Sequence, residues 1–197
     1  MKPLPTQKRA LLKRSSLVNA AQIEFANAGY ELATAKSIAQ RAGVATGTFY
    51  QYFNNKGEIL RVIAIQRNEE LRDQLEWKAI ESVKDRLSVE DFFKQNLVYI
   101  YNFHSVNPQL HQVLEQRREL DPELSELMDQ GDQVLHEKII SLVQSFNLDK
   151  PEVVAQNLFA MAEGIIHRHV FHRSELDSND VISVGARMLA QYFMSAK

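Results

Sequence analysis

AGVATGTFYQYF, residues Ala42 to Phe53, reads as the turn and second helix of a helix-turn-helix. Gly43 stands where a sharp turn needs a residue free to take positive φ. Before it, Thr34 is placed to cap a short helix running through Ser37, Ile38, Ala39 and Arg41. After it, Thr46 to Phe53 makes two helical turns. Phe49 and Phe53 fall four apart on one face, while Thr46, Thr48, Tyr50 and Tyr52 carry hydroxyls elsewhere. A helix so short, polar and aromatic together, suits entry into a DNA groove better than closure of a core.

Upstream, Leu17, Ala21 and Phe25 recur every four residues and are expected to pack on Ile38, Ala39, Val44 and Phe49, with Ile23 and Tyr30 completing a small core. Nearly every other segment also reads helical, and no strand alternation of useful length occurs. The expected fold is all-α. A three-helix helix-turn-helix domain with a basic arm takes residues 1–54, and a larger helical domain for effector binding and dimerisation takes 55–197. Helix one is expected to stop at Gly29, and helix four to run from near Asn55 to about Lys84. Ser88 begins helix five. Asn107, Asp121, Asp149 and Ser178 or Asn179 stand at the starts of helices six to nine.

Composition narrows the function. Of 197 residues 45% are hydrophobic, enough for a real core, and there is no cysteine, so no disulfide or thiolate metal site. No apolar run is long enough to span a bilayer, and the basic N-terminal stretch lacks the apolar middle of a signal peptide, which points to a soluble cytosolic protein. The net charge of −2 divides unevenly: residues 1–60 hold eight Lys or Arg against three acids, and the other 137 residues hold 15 against 22. A basic head on an acidic body is the footprint of a protein that touches phosphate with one end.

On this face Thr48, Tyr50 and Tyr52 are candidates to donate hydroxyls to phosphate, and Lys56, near the start of helix four, joins a charge to a helix-end potential. Thr34 has a similar helix-start position. Lys36, Thr46 and Gln51 are candidates for base edges, and Gly47 lets the helix approach closely. Plainer roles stay open: Tyr50 and Tyr52 as cover for the core edge, Lys36 and Gln51 as solvated surface.

The run from Ser16 to Leu60 resembles the DNA-binding domain of the tetracycline-repressor (TetR) family of transcription regulators. The resemblance is carried by LVNAAQIEFANAGY (17–30), TAKSIAQRAGV (34–44), GTFYQYF (47–53) and Lys56 within NNKGEIL. Ala35 and Ala45 depart from it, standing where the family often has Thr and a polar residue. The resemblance implies that Lys36, Thr46, Thr48, Tyr50, Tyr52 and Lys56 meet DNA and that two copies read a two-fold operator. It also implies that a small-molecule effector in the body releases the DNA, with no cofactor.

Two apolar stripes are candidates for a dimer interface built as a four-helix bundle: Ala155, Leu158, Ala162, Ile165 and Ile166, then Val184, Met188, Leu189 and Tyr192. Facing their own core is the alternative. For an effector, the candidate walls are Trp77, Phe93, Tyr99, Phe103, His104, Leu110, Leu114, Met128, Phe159 and Met161, a set rich in rings that suits an apolar or aromatic molecule.

Other classes find less support. His167, His169 and His172 lack HExxH spacing, so no metal is expected, and no phosphate loop or nucleophile elbow suggests an enzyme. The competing function is a DNA-binding protein without inducer, serving an architectural or cell-division role. A protein-interaction module is a third, hinted at only by the acidic body.

Overall fold

Proline and caps punctuate the chain into helices. The computed structural model describes residues 1–74, 86–172 and 174–195, and among these it has nine helices and no strand. They are α1 (Lys8–Leu32), α2 (Ala35–Arg41), α3 (Thr46–Tyr52), α4 (Lys56–Gln74), α5 (Arg86–Ser105), α6 (Pro108–Arg118), α7 (Pro122–Ser145), α8 (Pro151–Phe171) and α9 (Ser178–Ser195). None of the described helices is long and apolar enough to cross a membrane.

Several expected boundaries shift for identifiable reasons. α1 is interrupted at Gly29, where the stop was expected, but resumes beyond it. That residue takes φ 75° as a break inside the element, and one more turn follows to Leu32. α5 is already helical at Arg86, so Ser88 lies inside it. Asp149 does not cap α8: Lys150 holds the N-cap position in a left-handed conformation. Asp177, not Ser178 or Asn179, caps α9, its carboxylate accepting the N–H groups of Asn179 (2.9 Å) and Asp180 (3.2 Å). Asn107 and Asp121 do cap α6 and α7, through the N–H groups of Leu110 and Leu124. The expected continuation of helix four to Lys84, and Trp77 with it, lies outside the described residues.

The chain forms two compact units. Unit 1 is Met1–Asn68 with Asn107–Asp129, and unit 2 is Glu69–Val106 with Gln130–Lys197. The core of unit 1 joins Leu17, Ala21, Phe25, Ile38, Phe49 and Phe53 to Ile59 and Ile63 of α4 and to Leu110, Leu114 and Leu124. Tyr30 packs against it, but Ile23 is exposed. Two positions from both Ala21 and Phe25, it points away from the face they share.

Polar contacts bind the same unit. Arg61 of α4 grips Asp121 through Nη2 at 2.9 and 3.0 Å and reaches Glu123 at 2.7 Å. Tyr30 lies between two cations, Lys56 Nζ at 4.4 Å and the Arg117 guanidinium at 4.3 Å from its ring.

Unit 2 is built on α5, α8, α9 and the later part of α7. Its core centres on Phe193, with the rings of Phe146 and Phe93 at 4.9 and 5.2 Å. A Cβ on Gly185 would meet Ile165 Cδ1 of α8 at 3.0 Å, closer than an ordinary van der Waals contact, so α8 and α9 pack tightly there.

Candidate nucleic-acid interface

Local chemistry fixes α2 and α3 before any partner is considered. Thr34 caps α2 in a reciprocal box: the Ser37 N–H donates to Thr34 Oγ1 at 3.0 Å, and the Thr34 N–H donates to Ser37 Oγ at 3.1 Å. Gly43 takes φ 67° in the turn, and the Val44 N–H returns to the Ala39 carbonyl at 3.0 Å. α3 then starts at Thr46 with no side-chain cap, as Ala45 dictates. Phe49 and Phe53 are fully buried and anchor it.

That anchoring decides which candidates face outward. Lys36, Thr46, Gly47, Tyr50 and Gln51 are exposed, and Thr48 is half-buried. Tyr52 packs partly against the core, so its ring also seals the domain. A Cβ at Gly47 would meet nothing within 4 Å. No internal contact therefore requires glycine there.

Lys56 also makes contacts within the protein. Its ammonium donates to the carbonyls of Tyr30 (2.7 Å), Glu31 (3.1 Å) and Ala33 (3.3 Å) at the end of α1. These are carbonyls a helix leaves without internal partners, and Lys56 satisfies them.

Three features were not anticipated from sequence. Arg14 of α1 lies 5.1 Å from the centroid of the Phe53 ring. Arg41 pairs with Glu24, and the Arg41 guanidinium holds the Glu24 carboxyl below the usual carboxylate range. Glu58, buried at the start of α4, accepts from the N–H groups of Asn54 (2.7 Å) and Lys2. Burial alone would raise its carboxyl; the two N–H groups, together with the N-terminal ammonium and the Asn54 side chain, hold it low. An acid in the first turn of a helix was the one readable signal, through the positive potential of a helix start.

The effector candidates scatter. Leu110 and Leu114 are core residues of unit 1, and Met128 packs against that core, so these three are spent on internal packing. Phe93 is likewise core in unit 2. Tyr99 lies with its ring 6.3 Å from Phe103, and its hydroxyl donates to the Glu70 carbonyl at 3.4 Å. His104 is buried with its ring 4.8 Å from His167. The His167 imidazole is shifted toward its neutral form, mainly by burial and further by His172. Phe159 is half-buried and Met161 exposed.

The dimer candidates divide by face. Ala155, Leu158, Ile166 and Leu189 are buried in unit 2 itself, because α8 and α9 turn one side to α5 and to each other. Ala162 and Ile165 are half-buried, whereas Val184, Met188 and Tyr192 are 53%, 57% and 45% exposed. Between α8 and α9 runs a groove of about 1020 Å³ with Met161, Ile165, Val184 and Met188 in its lining. A second, of about 480 Å³, shares Met161 and Met188 and reaches Tyr192.

Comparison with known proteins agrees with this geometry. Residues 17–63 match the bacterial regulatory proteins, tetR family. The protein assigned as HTH-type transcriptional regulator ArpR in Pseudomonas putida is 27% identical over 128 residues, 64% of this chain; the match spans 60% of that relative's length. Among solved structures, a tetR-family transcriptional regulator from Mesorhizobium loti superposes with a TM-score of 0.82 at 16% identity, covering 96% of this chain and 98% of that one. The SmeT–triclosan complex superposes at 0.67 and 18% identity, covering 93% and 90%.

Proposed function

From a chain that belongs to the tetR family of transcriptional regulators, we propose a homodimeric repressor that reads a two-fold DNA operator and is released by an apolar or aromatic small molecule. The observation that carries this reading is the division of α3. Its Phe49 ring and that of Phe53, the residue that follows it, are buried, while Thr46, Tyr50 and Gln51 face outward beside a glycine whose missing side chain leaves open space. Thr48, Tyr50 and Tyr52 supply phosphate contacts that set register, Lys36, Thr46 and Gln51 meet base edges, and Thr34 fixes the start of α2. Lys56 acts chiefly by holding the end of α1. Selection of bound sequences from random duplexes at a stated salt concentration tests the proposal. A single two-fold motif is expected, and in Lys36→Ala the preferred base at one position of each half-site should relax. Salt-sensitive binding with no enriched motif would sink the specific regulator.

Dimerisation is proposed through the exposed apolar stripe of α8 and α9, where Val184, Met188 and Tyr192 recur at intervals of four. Introducing Val184→Asp with Met188→Asp buries charge in that face. The double variant is expected to sediment as a monomer and to lose operator binding while retaining its helicity. A dimer of unchanged stability would place the interface elsewhere.

The effector is assigned to unit 2, with Tyr99, Phe103, Phe159 and Met161 as the wall candidates not committed to a packed core. The similarly folded SmeT is solved with triclosan, which supports a small molecule as the signal. It releases DNA only if it favours the geometry in which the two heads no longer fit successive half-sites. One observation favours an inducer-free architectural protein instead: Phe92, Phe93, Phe146 and Phe193 are packed into core. The motif selection separates these readings as well.

A further inference from the structure

The helix proposed to meet DNA is weak by construction. α3 has seven residues, and a helix of that length does not hold its conformation alone. Its N-cap, Ala45, provides no side-chain bond. At the other end the Phe53 N–H closes onto the Phe49 carbonyl at 3.0 Å, which leaves later carbonyls of α3 in need of donors.

One donor comes from the segment before α1. The Lys2 ammonium donates to the Tyr50 carbonyl, and the Lys2 backbone N–H donates to Glu58 Oε1. The other Glu58 oxygen takes the Asn54 N–H, in the loop that leaves α3. One buried carboxylate thus ties the arm to the exit of α3, and a cation is held where the helix dipole is negative. The next basic residues along the chain, Lys8 and Arg9, sit exposed at the start of α1.

We propose that Lys2 is a positioning residue for α3: anchored on Glu58, it caps the C-terminal end of the helix and holds it in the conformation that reads bases. The inference rests on the DNA-reading function proposed above. It sets Lys2 apart from the nearby charges of Lys8 and Arg9. A basic arm acting only on phosphate would make Lys2 and Lys8 equivalent. A cap makes them different, since only Lys2 then alters sequence discrimination.

The test compares Lys2→Met, Lys2→Arg and Lys8→Met in the full chain, all surface changes compatible with folding. Two quantities are read. One is amide hydrogen exchange at residues 50–53 without DNA; the other is the ratio of affinities for the duplex selected by the wild type and a shuffled duplex of equal length. Loss of a helix cap corresponds to roughly a fivefold change. Lys2→Met is therefore expected to speed exchange about fivefold and narrow the ratio by a similar factor. Lys8→Met should weaken both duplexes alike with exchange unchanged, and Lys2→Arg should preserve both readouts. Exchange in Lys2→Met no faster than in Lys8→Met, or faster exchange with an unchanged ratio, would overturn the proposal. If the wild type selects no sequence at all, the specific-regulator reading fails, and the exchange comparison by itself decides whether Lys2 caps α3.

Discussion

Phe49→Ala is expected to destabilise unit 1 by about 3–5 kcal/mol, the range for emptying a fully buried Phe site. The ring is wholly buried, with its centroid 5.3 Å from that of Tyr50 and 5.7 Å from that of Phe53. Removal leaves a cavity between α3 and a core shared with α1 and α2. Whole domains are stable by only about 5–15 kcal/mol, so this one change removes much of the margin. Tyr50→Ala is the internal control. It is the next residue but 53% exposed, and an exposed position should shift stability by no more than about 0.5 kcal/mol. Urea titration followed by circular dichroism would show the difference as a lowered midpoint for Phe49→Ala alone. Both variants should bind DNA less well, for separate reasons: one unfolds the head, the other removes a hydroxyl from its outer face. Equal stability of the two would mean that Phe49 is not the anchor of α3.

The second large effect is expected at Asp121. The Asp121–Arg61 pair is two-pronged and mostly buried, and Asp121 also caps α7. Breaking a buried pair by removing one partner typically costs about 3–5 kcal/mol, because the other charge is stranded. Asp121→Asn should fall near the low end, about 3 kcal/mol, since Glu123 still faces Arg61 and an Asn oxygen can still cap. Asp121→Ala should cost about 1 kcal/mol more through the lost cap.

A pH signature identifies the cause. Burial alone would raise the Asp121 carboxyl, but the Arg61 guanidinium and the Leu124 N–H outweigh it and hold it below the usual carboxylate range. A carboxylate depressed in the folded state stabilises above its unfolded value, about pH 4, and loses that contribution as pH falls through the lower folded value. Wild-type stability should therefore drop more steeply than that of Asp121→Asn as pH falls below about 4. Parallel curves would show that the pair adds nothing.

Much of this was legible because it is local. Gly43 between two short apolar-anchored helices fixes a turn, Thr34 with Ser37 fixes a helix start, and the spacing of Phe49 and Phe53 fixes which face of α3 is buried. Those effects act within a few residues, so the pattern alone carries them. Leu189 shows where pattern fails. It belongs to the same apolar run of α9 as Val184 and Met188, yet it is core and they are exposed. An apolar residue reads alike whether its partner is its own chain or another.

The all-helical class, the helix-turn-helix and the outward placing of Thr46, Tyr50 and Gln51 on α3 could be read from residue order, because helix period and turn chemistry are short-range. How the charges pair off could not be read that way, because it depends on which helices pack together. That packing turned Lys56 onto the end of α1, Arg61 onto Asp121, and Lys2 onto Tyr50 and Glu58. Those partners lie tens of residues apart, and a long flexible side chain takes whichever acceptors the packed helices bring within its reach.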